Sequence, residues 1–190
     1  MPRVLILGHS FVKRLYRDVC HRRIPRASLD FNLQNVANIF FHGIGGRTVA
    51  KLVKHDLDVV RRVRPQIVLL EIGTNDLALN IRPESVGSAI EELVNTLLTQ
   101  FEVSIVCVCH VIPRGEFNEG ALEFARNARM LCQYLEVVLE QIERVFCWRH
   151  TVFTAPSKDL YVDGVHPNAR GQAALYRSYR GAILQALKHL

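Results

Sequence analysis

Four short stretches of this chain carry groups able to move a proton or hold a developing negative charge. They are GHS at 8–10, with Ser10; GIGGRT at 43–48, with Gly46; GTND at 73–76, with Asn75; and DGVHP at 163–167, with Asp163 and His166. A serine at the mouth of a helix meets free N–H groups and the positive end of the helix dipole, and both favour an anion there. The same position is a common one for an N-cap, so Ser10 alone reads as a nucleophile or as a cap.

The other stretches are similarly two-sided when taken singly. Gly45 and Gly46 let the backbone approach a substrate and aim an N–H at an oxyanion, or they form a plain turn before a helix. The Asn75 side-chain amide can donate to the same oxyanion, while Asp76 is expected to cap its own loop. Asp163 and His166 stand three apart in one loop. That spacing lets the carboxylate fix the imidazole tautomer and stabilise the imidazolium, as a general base needs. Pro167 is expected to hold His166 out of helical geometry and to start the last helix.

What gives these groups a common meaning is the elements that carry them. RVLILG (3–8), VANIFFHG (36–43), QIVLLEIG (66–73), VSIVCVCHVI (103–112) and RVFCW (144–148) read as buried strands. Between them apolar residues recur at helical spacing: Phe11, Val12, Leu15, Tyr16 and Val19; then Val49, Leu52, Val53, Leu57 and Val60. Pro83 opens a third helix, a long one is expected over about 119–142, and the last carries Leu175, Tyr179, Ile183 and Leu187. Strand–helix alternation predicts right-handed crossovers and an α/β fold, a three-layer α/β/α sandwich around a flavodoxin-like parallel five-stranded sheet of order 2-1-3-4-5. Ligands in such sheets sit beyond the carboxyl ends of the strands. All four polar stretches fall at that edge, and together they supply what acyl transfer requires.

The bulk properties set limits. The 190 residues suit a single domain spanning 1–190. An apolar fraction of 49% is that of a chain able to bury a core. No run approaches the about 18 apolar residues of a membrane span. The first strand begins by Val4, which leaves no room for a signal peptide. Five cysteines in apolar segments, without metal-ligand spacing, read as reduced and point to a cytoplasmic protein. The net charge of +6 is concentrated in Lys13, Arg14, Arg17, Arg22, Arg23 and Arg26. This patch is a solvated helix face or a surface for weak electrostatic binding of nucleic acid. Oligomeric state leaves no mark on the sequence.

The four stretches together, in order and spacing, resemble the SGNH hydrolase superfamily over about residues 3–185. GIGG, RPQIVLLEIGTN and IPRG (112–115) look most like its platelet-activating-factor acetylhydrolase-like branch. Related esterase domains occur in some eukaryotic retrotransposons, a setting that the basic charge and reduced cysteines would suit. The resemblance implies a serine esterase cleaving short-chain or acetyl esters through an acyl-enzyme, without metal or organic cofactor. It assigns Ser10 as nucleophile, His166 as base oriented by Asp163, and the N–H groups of Ser10 and Gly46 with the Asn75 amide as the oxyanion hole. Two residues depart from the family's pattern: His9 and Arg47 each stand where aspartate is usual. They are candidate modulators, two added cations beside the serine, with His9 bridging towards Glu71. On this reading His9→Asp keeps activity within about tenfold. The competing readings are a catalytically silent binding module of the same fold and a nucleic-acid-associated basic domain of a mobile element.

Overall fold

The computed structural model describes residues 1–115, 120–153 and 159–190. Strands β1 (Arg3–Gly8), β2 (Asn38–Gly43), β3 (Ile67–Glu71), β4 (Ile105–Cys109) and β5 (Val145–Trp148) form one parallel sheet. Its order is β2-β1-β3-β4-β5, as expected from the alternation of elements. Consecutive residues of a strand face opposite sides, and the sheet shows this directly. Val4, Ile6, Ile67, Leu69, Ile105 and Cys107 pack on one face with α1 (Ser10–Cys20) and α7 (Ala169–Lys188). Leu5, Leu7, Val68, Leu70, Val106 and Val108 pack on the other. There they meet α2 (Val49–His55), α3 (Leu57–Val63), α4 (Thr74–Ala78), α5 (Pro83–Thr99) and α6 (Ala121–Leu139). The sheet is therefore covered on both sides, which is why its strands read as continuous apolar runs.

Several elements differ from the sequence expectation. The stripe Val49–Val60 is not one helix but two, broken at Asp56. The Asp56 carboxylate is drawn back to Arg47 and His42, and Val53 on the expected stripe is exposed. Tyr16 is likewise exposed, and α1 buries Phe11, Val12, Leu15 and Val19. Asn75 lies not in a loop but in the first turn of α4, a five-residue helix. The helix expected from 119 begins at Ala121; residue 119 itself lies outside the described residues. Pro167 does not start α7: it pairs with Tyr161 in an isolated bridge, and Asn168 caps the helix by accepting from Gly171 N.

The close approach of β1 to β3 at the carboxyl edge requires Gly8. A Cβ there would lie 2.1 Å from the Glu71 carbonyl oxygen. Without one, the His9 N–H reaches that oxygen at 3.2 Å and the chain turns directly into α1. The five cysteines are all free. Among the described residues, no helix is long and apolar enough to cross a membrane.

Candidate active site

The first turn of α1 answers one half of the question that Ser10 poses: it is not the cap. The N-cap is His9, in extended conformation, and its Nδ1 accepts from Phe11 N at 3.4 Å. Ser10 is the first helical residue, half-buried, and its hydroxyl has no hydrogen-bond partner among the described residues. Its N–H also lacks an acceptor among them, as the first N–H groups of a helix do. The side chain that normally would cap is left uncommitted because its neighbour caps instead.

The loop after β2 brings Gly46 to the same edge. Gly46 has φ +72°, a left-handed conformation that costs a residue with Cβ about 1–2 kcal/mol. Its N–H has no acceptor among the described residues. Asn75 reaches across from α4 and donates from Nδ2 to the Arg47 carbonyl at 2.7 Å. That bond uses one amide proton and leaves the other. Asp76 does not cap its own loop as expected: it lies in α4 and accepts from Val49 N, at the start of α2, at 3.1 Å, while Thr48 is the N-cap of α2. Burial raises the Asp76 carboxyl above its ordinary value, against the lowering by these backbone bonds. The loops after β2 and β3 are thus locked to each other.

Asp163 and His166 pair as their spacing predicts. His166 Nδ1 lies 2.7 Å from Asp163 Oδ2, and Asp163 Oδ1 accepts from the backbone N–H groups of His166 and Val165 at 2.7 and 3.0 Å. Desolvation opposes ionisation of Asp163, but these bonds outweigh it and hold the carboxyl down at about 2. An ionised acceptor at Nδ1 places the proton there, so Nε2 of the neutral ring is the basic nitrogen. The loop is held against the segment after β4: the Tyr161 hydroxyl donates to the Pro113 carbonyl and Gly115 N donates to Gly164 O. His166 sits edge-on to Phe11, ring centroids 6.3 Å apart, and so beside the first turn of α1.

Two expectations about cations near the serine are corrected. Arg47 turns its guanidinium away into a two-bond pair with Asp56, Nε to Oδ2 at 2.7 Å and Nη2 to Oδ1 at 3.0 Å. What it presents to Asn75 is its carbonyl. His9 is fully buried, and desolvation lowers its pKa to about 4 against the pull of Glu71, with nearby His166 lowering it further. It is a neutral ring, not a cation facing an oxyanion. His9 faces Glu71 as expected, but not through a hydrogen bond: His9 Nε2 lies 3.8 Å from Oε1, and neither atom has a hydrogen-bond partner among the described residues.

Sequence reasoning missed what lies beneath. Glu71 ends the row Ile67, Leu69, Glu71 on the α7 face of β3, and is fully buried. Its Oε2 accepts from His150 Nε2 at 3.0 Å and from the Tyr179 hydroxyl at 2.9 Å. Burial raises the Glu71 carboxyl, but His150, His9 and Tyr179 together bring it below its ordinary value. Burial alone would lower His150; the charge of Glu71 and its hydrogen bonds prevail and raise it to about 10. His150 is therefore an imidazolium, its Nδ1 2.8 Å from Ser178 Oγ. Ligand atoms of Glu71, Cys109 and His150 lie within 4.8 Å of one another, a spacing that could hold a metal ion. Glu71 and His150 already satisfy each other, so the cluster is closed by its own ion pair. No local motif signals it, since Glu71 and His150 are 79 residues apart.

A cleft of about 380 Å³ lies elsewhere, between α6 and the segments after β4 and β5, lined in part by His110, Cys132, Glu136, Arg149 and His150. It includes neither Ser10 nor His166. The segments that hold Ser10, Gly46, Asn75 and His166 contribute no residue to its lining.

The model of the GDSL-like lipase/acylhydrolase family matches residues 7–174 of the chain. No curated protein matches it. Among solved structures, a provisionally assigned acylhydrolase from Bacteroides fragilis superposes with a TM-score of 0.78 at 19% identity, over 98% of this chain and 88% of that one. A protein provisionally named for platelet activating factor, from Streptococcus pneumonia, gives 0.71 at 17% identity, over 95% and 83%. A catalytic mutant of an acetylxylan esterase from Geobacillus stearothermophilus gives 0.72 at 18%, over 96% and 94%. At such identities the likeness is one of fold.

Proposed function

This chain belongs to the GDSL-like lipase/acylhydrolase family, and from that premise we propose that it is a serine esterase cleaving short-chain or acetyl esters. Ester hydrolysis follows from the family at a general level; the nucleophile, its helpers and the acyl length are our reading. The observation that carries it is the Asp163–His166 pair at 2.7 Å, its imidazole edge-on to Phe11 in the helix turn that bears an uncommitted Ser10.

In the proposed reaction Ser10 Oγ attacks the ester carbonyl carbon and passes its proton to His166 Nε2. The carbonyl π electrons move to oxygen, and that oxyanion meets the N–H groups of Ser10 and Gly46 and the free proton of the Asn75 amide. Collapse of the tetrahedral intermediate expels the alcohol, which takes the proton from His166. Water, deprotonated by the same nitrogen, then releases the acid and regenerates Ser10. Asp163 keeps Nδ1 protonated throughout and stabilises the imidazolium.

The reading of a small acyl group is supported by the fold shared with an acetylxylan esterase. The test is a ladder of p-nitrophenyl esters from acetate to octanoate, with Ser10→Ala as control. Acetate or butyrate should turn over fastest and Ser10→Ala should be inactive. Equal activity of the variant would remove Ser10 as the nucleophile, and inactivity of both proteins would support the silent binding module instead.

A salt-labile contact with nucleic acid is supported separately by the exposed Lys13, Arg17, Arg22, Arg23 and Arg26, although Asp18 offsets Arg17 and Arg23. Joint replacement of Lys13, Arg14 and Arg17 by serine should abolish such binding at low salt; persistence would exclude α1 as the surface.

A further inference from the structure

We infer that His9 is a positioning residue for Ser10, oriented by the buried Glu71–His150 ion pair, and that this arrangement excludes the aspartate usual beside the nucleophile. The inference rests on the reading of Ser10 as nucleophile.

The geometry carries it. His9 Nδ1 accepts the Phe11 N–H, so this nitrogen carries no proton while the cap is made, and the ring proton lies on Nε2. That atom lies 3.8 Å from Glu71 Oε1, an electrostatic contact beyond hydrogen-bond reach, and neither atom has a hydrogen-bond partner among the described residues. Both side chains are about 1% exposed. Glu71 cannot swing away, because its other oxygen is held by His150 and Tyr179. The backbone reinforces the contact, since His9 N–H donates to the Glu71 carbonyl. His9 thus performs two tasks: one nitrogen fixes the first turn of α1, and with it the Ser10 N–H and hydroxyl, while the other is aligned by a buried carboxylate.

The charge balance of this cluster is complete without a second acid. Glu71 is matched by His150, whose remaining nitrogen is held by Ser178. An aspartate at position 9 could cap the helix equally well. It would also place a second carboxylate close to Glu71, where burial leaves no solvent to screen them, and two such groups do not both stay ionised. The expectation that His9→Asp keeps activity is therefore reversed. Position 9 and position 71 form one exchange unit: an acid at 9 demands a neutral residue at 71.

The test is a cycle of His9→Asp, Glu71→Gln and the double variant, with His9→Asn as the uncharged control. For each protein, melting temperature, rate of fluorophosphonate labelling at Ser10, and kcat and KM for p-nitrophenyl acetate are measured. His9→Asp should melt lower and label about a hundredfold more slowly, and the double variant should regain at least about tenfold over it. His9→Asn, which retains an acceptor for Phe11 N–H, should stay within about tenfold of the parent, its loss in kcat rather than KM. Should His9→Asp fail to fold, a double variant that folds and labels supports the inference equally. A double variant no better than His9→Asp, a His9→Asp indistinguishable from the parent, or a His9→Asn as slow as His9→Asp would each overturn it. A parent that does not label at Ser10 would remove the nucleophile assignment itself. A labelled parent with uncoupled positions 9 and 71 would remove only this inference.

Discussion

His166 differs from the seven other histidines of the chain in pairing a ring nitrogen with an exposed, fully ionised carboxylate while its ring lies edge-on to Phe11 in the first turn of α1. The buried His9 and His150 are committed to Glu71, one neutral and one charged. In the proposed mechanism, replacing His166 by alanine removes the proton acceptor and should lower kcat by several orders of magnitude. Asp163→Asn leaves an acceptor but no longer fixes the tautomer, and its loss should be smaller than that of His166→Ala. Asn75→Ala deletes one oxyanion donor, with an expected cost of about 2.7–4 kcal/mol of barrier. It also cuts the tie to Arg47, so circular dichroism must show an intact fold before that number is read.

At the scale of elements, the loop joining β2 to α2 sets one wall of the site through the conformation of a single residue. Gly46→Ala meets no neighbour within 4 Å, so its penalty is that of the positive φ alone. Relief of that strain would rotate the N–H away from the oxyanion. Gly46→Asn, a residue that tolerates the left-handed region, should retain clearly more activity than Gly46→Ala, as esterase assays of the two variants would show; equal losses would mean that this N–H is not a donor. Strand order and the edge at which the loops gather were legible in the sequence because apolar runs and helical stripes report burial directly. So was the Asp163–His166 pair, which is local. The break of the second helix at Asp56 was not, because its cause is a pairing with Arg47 and His42 that no periodicity records. The cap at His9 was hidden for a similar reason: serine is the usual cap, and only the turn against Gly8 and Glu71 moves that task one residue back.

At the scale of the whole molecule, two buried histidines pull the pH dependence of stability in opposite directions. His9 is lowered from 6.5 to about 4, so its contribution is present above pH 6.5 and is lost as pH falls towards 4. His150 is raised from 6.5 to about 10, so its contribution is present below pH 6.5 and is lost as pH rises towards 10. Melting temperature should accordingly peak near pH 6.5. His150→Gln should flatten the alkaline limb and His9→Asn the acid limb down to about pH 4; limbs unaltered by these changes would assign the slopes to other groups. The claim on which everything functional depends is that Ser10 is the nucleophile. Reaction of the purified protein with a fluorophosphonate, followed by peptide mapping in the mass spectrometer, tests it most directly. The account predicts one modified residue, Ser10, with labelling lost in Ser10→Ala and slowed in His166→Ala. Modification at another residue, or none at all in a folded protein, would contradict it.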